Sequence, residues 1–306
     1  MAPKSFVLGT TFPDNLEKIF THVQAGDEVV LDLSNTTFLS PYAVCGIYLL
    51  VSQWKNDGAK ITVTPPVSMD CRNYLDRVHF FGMLQEKKLA LINPPIRRVS
   101  ETNQADVLFE LTWIGEPKSV QKILTDRLWP IFITKGFNDD LTGFVVWVIG
   151  ELCDNAFVHA RVPGKDPFGA FICVQSYSNP RPNIQLAVGD LGKGIRASLA
   201  ESKNFSGLKD DREAMLTAMR PGVSSWTHRE GQRRGNGLTD VLKIALGSSS
   251  ERDIRSVSGR IWLRGGRLGR AADEGTLDGT LVGLRLFADK VDKASREEIE
   301  HALDRV

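Results

Sequence analysis

The sequence predicts an α/β fold in two units: an N-terminal βαβ unit over residues 1–95 and a larger α/β unit over 105–290, followed by a short helix at 291–306. Three observations carry that expectation. Strand-like and helix-like apolar segments alternate through the first unit, the pattern of a parallel sheet with crossover helices. Between residues 91 and 104 the pattern lapses into Asn93-Pro94-Pro95 and Arg97-Arg98, a linker composition. A length of 306 residues also exceeds a usual single core and leaves room for two.

The elements follow in order. Val29-Val30-Leu31-Asp32-Leu33 is an apolar run of strand length, and 43–54 places Val44, Ile47, Tyr48, Val51 and Trp54 at helical spacing before Asp57-Gly58 ends the helix. Ile61-Thr62-Val63 reads as a short strand, and Ser68 opens a helix bearing Tyr74, Leu75, Val78 and Phe81. Beyond the linker come a strand at 107–113, a helix from Glu116-Pro117 and a longer helix at 140–160. Further strands are predicted at 170–175, 184–188, 260–264 and 280–287. Ser295-Arg296-Glu297-Glu298 is a capping box for the terminal helix.

Composition narrows the function classes. With 38 basic against 37 acidic side chains and a formal charge of +1, nothing global directs the chain to nucleic acid or to an acidic membrane. Residues 1–15 lack the apolar core of a secretory signal and no later run reads as a bilayer span, which predicts a cytoplasmic protein. Cys45, Cys71, Cys153 and Cys173 form no C-x-x-C pair and stand in apolar segments, so they read as small hydrophobes. The arginines from Arg252 to Arg270 raise the question of nucleic acid. Arg260, Trp262 and Arg264, however, alternate with Ile261 and Leu263, which predicts a strand with one solvated face.

Three segments carry candidate chemistry. In the helix at 141–160 the apolar stripe of Leu141, Val145, Val148, Leu152 and Ala156 is joined by Glu151, Asn155 and His159. Glu151 and Asn155 are one turn apart and reach the same spot. A carboxylate and a carboxamide at the edge of a core need partners, which a nucleotide's metal and water would supply; polar residues facing solvent explain this segment equally well. In the second segment, the strand Ile184-Gln185-Leu186-Ala187-Val188 runs into Gly189-Asp190-Leu191-Gly192-Lys193-Gly194. There a strand-end carboxylate can accept from a base while the glycines let the backbone come close, though a simple turn would look the same. In the third, Arg234-Gly235-Asn236-Gly237-Leu238 precedes a helix at 238–246 and exposes backbone N–H groups suited to phosphate, as many helix-start loops do. No G-x-x-x-x-G-K-[ST] or G-x-G-x-x-G is completed, which removes the P-loop and dinucleotide-fold readings.

In this order the segments resemble the N, G1 and G2 boxes of the histidine-kinase-like (GHKL, Bergerat-fold) ATPases. The matching stretches are Glu151-Leu152-Cys153-Asp154-Asn155-Ala156-Phe157-Val158-His159, Asp190-Leu191-Gly192-Lys193-Gly194 and Gly235-Asn236-Gly237-Leu238. Gly279-Thr280 is similar to the glycine-threonine that closes the family's adenine pocket. The resemblance implies an α/β-sandwich ATPase domain that binds ATP and Mg2+. It implies Asn155 as the metal ligand, Asp190 as acceptor of the adenine amine, and Gly192, Gly194 and Thr280 as further nucleotide-binding residues. Gly235, Asn236, Gly237 and Leu238 would serve the phosphates, and Glu151 would be the general base. His159 would pack or touch phosphate.

No dimerisation helix pair with a phosphoacceptor histidine precedes these boxes, so the layout resembles the stand-alone serine kinases of anti-sigma-factor antagonists. Residues 25–88 resemble STAS domains, the fold of those antagonists, through Val30-Leu31-Asp32-Leu33-Ser34, Thr37-Phe38-Leu39-Ser40 and Gly58. The departure is Ser40-Pro41, which puts a proline where the acceptor serine is expected. The resemblances together imply an ATP- and magnesium-binding regulatory protein, a serine/threonine kinase or slow ATPase acting through a protein partner, with its substrate on another chain. The alternative is a non-catalytic ATP-sensing module that changes conformation or partner on binding nucleotide. Homo-oligomers are compatible with either reading; membrane and nucleic-acid partners are not expected.

Overall fold

Two sheets, and the helix between them, organise the chain. The computed structural model describes residues 3–8, 16, 19–96, 108–160, 169–178, 182–223, 237–247, 251–264, 267–270, 275–287, 298 and 302–304. The first sheet is parallel throughout, in the order β1 (Lys4–Val7), β2 (Glu28–Asp32), β3 (Lys60–Thr64) and β4 (Leu91–Ile92). The βαβ expectation therefore holds. β4 lies inside the stretch expected to be linker: Leu91 and Ile92 pair with Thr62 and Val63, a strand too short to show a period in sequence.

α1 (Pro41–Asn56) starts at Ser40, whose Oγ accepts the Ala43 N–H at 3.2 Å, and carries proline at its first position, where a missing N–H costs nothing. Every residue from Pro41 to Trp54 is buried. A helix apolar on all sides belongs between two layers. Its core joins Leu31 and Val63 of the parallel sheet to Phe171, Cys173, Ala187 and Leu281 of the second sheet. The helix expected from Ser68 is broken in two, α2 (Met69–Arg77) and α3 (Phe80–Glu86), at His79 with φ 63°. At that break the Val78 carbonyl leaves the helical pattern and accepts the Leu111 N–H of the second sheet at 2.9 Å.

The second sheet is antiparallel. Its order is β10 (Arg267–Arg270), β9 (Gly259–Arg264), β8 (Glu251–Val257), β11 (Leu277–Leu286), β7 (Asn183–Asp190), β6 (Ala170–Tyr177) and β5 (Leu108–Ile114). The period of two sorts its side chains. Phe171, Cys173, Ala187 and Leu281 meet α1, while Ile172, Leu186, Val188, Val282 and Leu284 form a second core with the helices on the other side. Those helices include α4 (Pro117–Ile123), α5 (Trp129–Thr134), α6 (Asp139–Val158), α7 (Gly194–Leu199), α8 (Asp211–Ala218) and α9 (Gly237–Gly247). Between α4 and α5 the helix widens into a π turn at Leu124–Leu128, next to Pro130, which has no N–H to offer the carbonyl four residues back.

One expectation is corrected in part here. β9 is a strand as predicted, but its polar face is only partly solvated: Trp262 and Arg264 are half-buried and Arg260 is buried. Arg260 is 3% exposed and donates from Nε and Nη2 to Asp253 Oδ1 at 2.8 and 2.6 Å. Fully buried Arg255 likewise stacks on Phe20 of the first unit at 4.6 Å. α6 is long and apolar enough by length and composition alone to cross a membrane, a test that buried core helices also pass. Here it is a core helix, burying Val145, Val148, Ile149, Leu152 and Ala156. The four cysteines are free and buried. Most of the predicted 291–306 helix lies outside the described residues; Leu303 packs into the second core.

Candidate functional site

α6 forms one wall of a cleft. Its N-cap is Asn138, whose Oδ1 accepts the Leu141 N–H at 2.8 Å, and Asp139 and Asp140 complement the helix dipole in the first turn. Burial of the apolar face fixes the helix's rotation. Glu151, Asp154, Asn155 and Val158 are thereby turned, half-buried or exposed, along the edge that lines the cleft.

The floor is made by the ends of β7 and β11, which pair Asp190 with Thr280. The space in and above the cleft, open solvent included, is about 1130 Å3. Asp190 is 7% exposed, and burial pushes its carboxyl up to about 7 even though backbone N–H groups of Gly192 and Thr280 favour the ionised form. The Gly192 N–H reaches Asp190 Oδ1 at 2.8 Å.

Glycines let the backbone close around it. Gly279 has φ 83°, and a Cβ there would overlap the Asp190 carbonyl oxygen. β11 shifts register against β8 between Leu277 and Thr280, so Asp278 and Gly279 form a bulge beside the floor. Gly192 packs against Ala160 so closely that a side chain would collide with it, and the Lys193 N–H donates to the Ala160 carbonyl at 3.2 Å. The loop after β7 is thus fastened to the end of α6.

Of the residues singled out in sequence, Glu151, Asn155, Asp190, Gly194, Leu238 and Thr280 line this one cleft, as does His159. Gly237 opens α9 beside Leu238. Gly192 stands behind the lining and acts on the wall. Gly235 and Asn236 lie outside the described residues. Sequence reasoning missed Ser198, Leu199 and Val223, which also line the cleft. The spacing of Ile195, Ser198 and Leu199 was the available signal, on a helix of one and a half turns.

Among the described residues no group of three His, Cys, Asp or Glu side chains stands ready for a metal. Compared with known protein families, the chain matches no family model, and comparison with curated proteins gives no match either.

Proposed function

We propose that the cleft binds ATP with magnesium and that the chain is a regulatory protein of the histidine-kinase-like ATPase class, with a STAS-like first unit. One observation carries the reading. Segments around residues 151–160, 188–195, 238 and 280–282, remote in sequence, converge on one cleft whose floor is a buried carboxyl flanked by backbone donors. An exocyclic amine would add a further donor to that carboxyl, and the apolar side chains of Val188, Leu199 and Val282 suit the faces of a base.

In this reading Asp190 accepts from the adenine amine and Asn155 holds magnesium at the phosphates. Magnesium, when bound, neutralises charge on the phosphates. Glu151, one turn before Asn155, takes a proton from a water or a hydroxyl, which supports a protein serine/threonine kinase or slow ATPase. The proposed setting is the cytoplasm, with a protein partner. The acceptor belongs to another chain: Ser40 is 6% exposed and serves as the cap of α1, and α1 packs on the sheet face opposite the cleft. A second reading, non-catalytic ATP sensing, draws support from the packing of α1 directly behind the floor. Calorimetry with Mg-ATP tests the binding claim, and a labelled γ-phosphate assay separates the two readings. Absence of ATP binding by the folded protein would end both.

A further inference from the structure

The floor of the cleft is held from behind by the other unit of the chain. Tyr42, Gly46, Leu49 and Gln53 form one stripe along α1. Tyr42 lies against Gly283, and a Cβ on Gly46 would stand 3.0 Å from Leu281 Cδ2. Leu49 presses on Gly189, where a Cβ would come within 2.6 Å of its Cδ1. Gln53, 2% exposed, ends the stripe: its Oε1 accepts the backbone N–H of Asp278 at 2.9 Å, across 225 residues of sequence.

Asp278 is the first residue of the β11 bulge. The next is Gly279, packed on the Asp190 carbonyl, and the one after is Thr280, whose N–H meets the Asp190 carboxylate. The segment leading into the bulge is held by the first unit as well. Thr276 donates its N–H to the Phe20 carbonyl at 2.9 Å, and Arg255, stacked on Phe20, donates to the Gly275 carbonyl at 3.1 Å. Asp278 itself has an exposed side chain, so the buried tie to its backbone comes from Gln53.

We infer that Gln53 is a positioning residue for base recognition: it fixes the 278–280 bulge and so sets where the Thr280 N–H and the Asp190 carboxylate stand. The first unit is then a built-in part of the nucleotide site. The inference rests on the adenine assignment of Asp190 and deepens it. Polar burial is the physical warrant. A buried glutamine among the apolar residues of α1 is costly unless its amide is used, and both ends here are engaged: Oε1 by Asp278, and Nε2 lying 3.3 Å from His22 Nδ1.

The test compares ATP with inorganic tripolyphosphate, both with magnesium, by calorimetry on wild type, Q53L, Q53E and D190N. Q53L keeps the volume but withdraws the acceptor, and should weaken ATP about tenfold, the effect of losing one well-placed hydrogen bond, while leaving tripolyphosphate within about twofold. Q53E presents an acceptor oxygen to the same N–H and should restore most of the ATP affinity. Should Q53L fail to fold, Q53N, one methylene short of Asp278, takes its place. ATP affinity unchanged in folded Q53L, or an equal loss for ATP and tripolyphosphate, would overturn the inference provided D190N loses ATP. If D190N itself binds ATP normally, the adenine assignment has failed instead.

Discussion

Replacing Asp190 by asparagine should stabilise the ligand-free protein and cripple it for ATP, two effects of opposite sign from one buried carboxyl. In the unfolded chain an aspartate ionises near 3.8, whereas burial raises Asp190 to about 7. Between those values the folded protein holds a proton that the unfolded chain has released. Stability is therefore fully present below about 4, falls as pH rises towards 7, and is flat above it. About three pKa units at about 1.4 kcal/mol each set a ceiling of roughly 4 kcal/mol. The asparagine amide would keep an oxygen for the Gly192 N–H without carrying a charge. Urea unfolding at pH 4 and pH 8 should then show wild type and D190N alike at the lower pH and D190N more stable, by up to about 4 kcal/mol, at the higher. ATP affinity of the variant should fall at least about tenfold, since the second oxygen is replaced by a donor facing a donor. In wild type, affinity should weaken up to about tenfold per pH unit below 7 as the carboxyl takes up its proton. A variant less stable than wild type at pH 8, or one that binds ATP normally, would refute the account of the floor.

Further outcomes follow from other parts of the fold. Asn155→Ala should abolish the magnesium-dependent part of ATP binding. Glu151→Ala should leave binding intact and lower turnover about 10²- to 10⁴-fold; calorimetry with and without magnesium beside a phosphate-release assay distinguishes them, and equal loss of binding would contradict the division of roles. Asp253→Ala leaves the Arg260 guanidinium buried without its closest carboxylate and should cost about 3–5 kcal/mol in denaturant unfolding. Ser40→Ala should cost about 1 kcal/mol through loss of the α1 cap, and mapping after incubation with labelled ATP should find no phosphate on Ser40 of the wild type; rapid, concentration-independent labelling there would overturn the assignment of the acceptor to another chain.

Local chemistry made much of this legible in sequence. The helical spacing of Val44, Ile47, Tyr48, Val51 and Trp54 announces α1, and Asp57-Gly58 its end, because periods and glycines act over a few residues; the start at Ser40-Pro41 is placed two residues late by that spacing. The strands with a plain apolar run, β2, β3, β6, β7 and β11, were recoverable for the same reason. Most of the candidate site was legible too, since Glu151, Asn155, Asp190, Gly194, Leu238 and Thr280, picked out in separate segments, line one cleft. β8 escaped notice: its buried Arg252, Arg255 and Asp253 spoil any alternation of apolar and polar residues.

What the sequence determined by itself, then, is the run of local elements and the residue types available at each end of them, because helix caps, glycine turns and side-chain periods depend on neighbours in the chain. What only the tertiary structure decided is everything set by a second layer. A pattern such as Tyr42 to Val51 says that a helix is buried but not by what, and two sheets had to close on α1 before Gln53 met Asp278 and Leu49 met Gly189. The raised Asp190 carboxyl belongs to the same class. Desolvation depends on every group that excludes water around it, and those groups come from α6, β7 and β11, brought together only by packing.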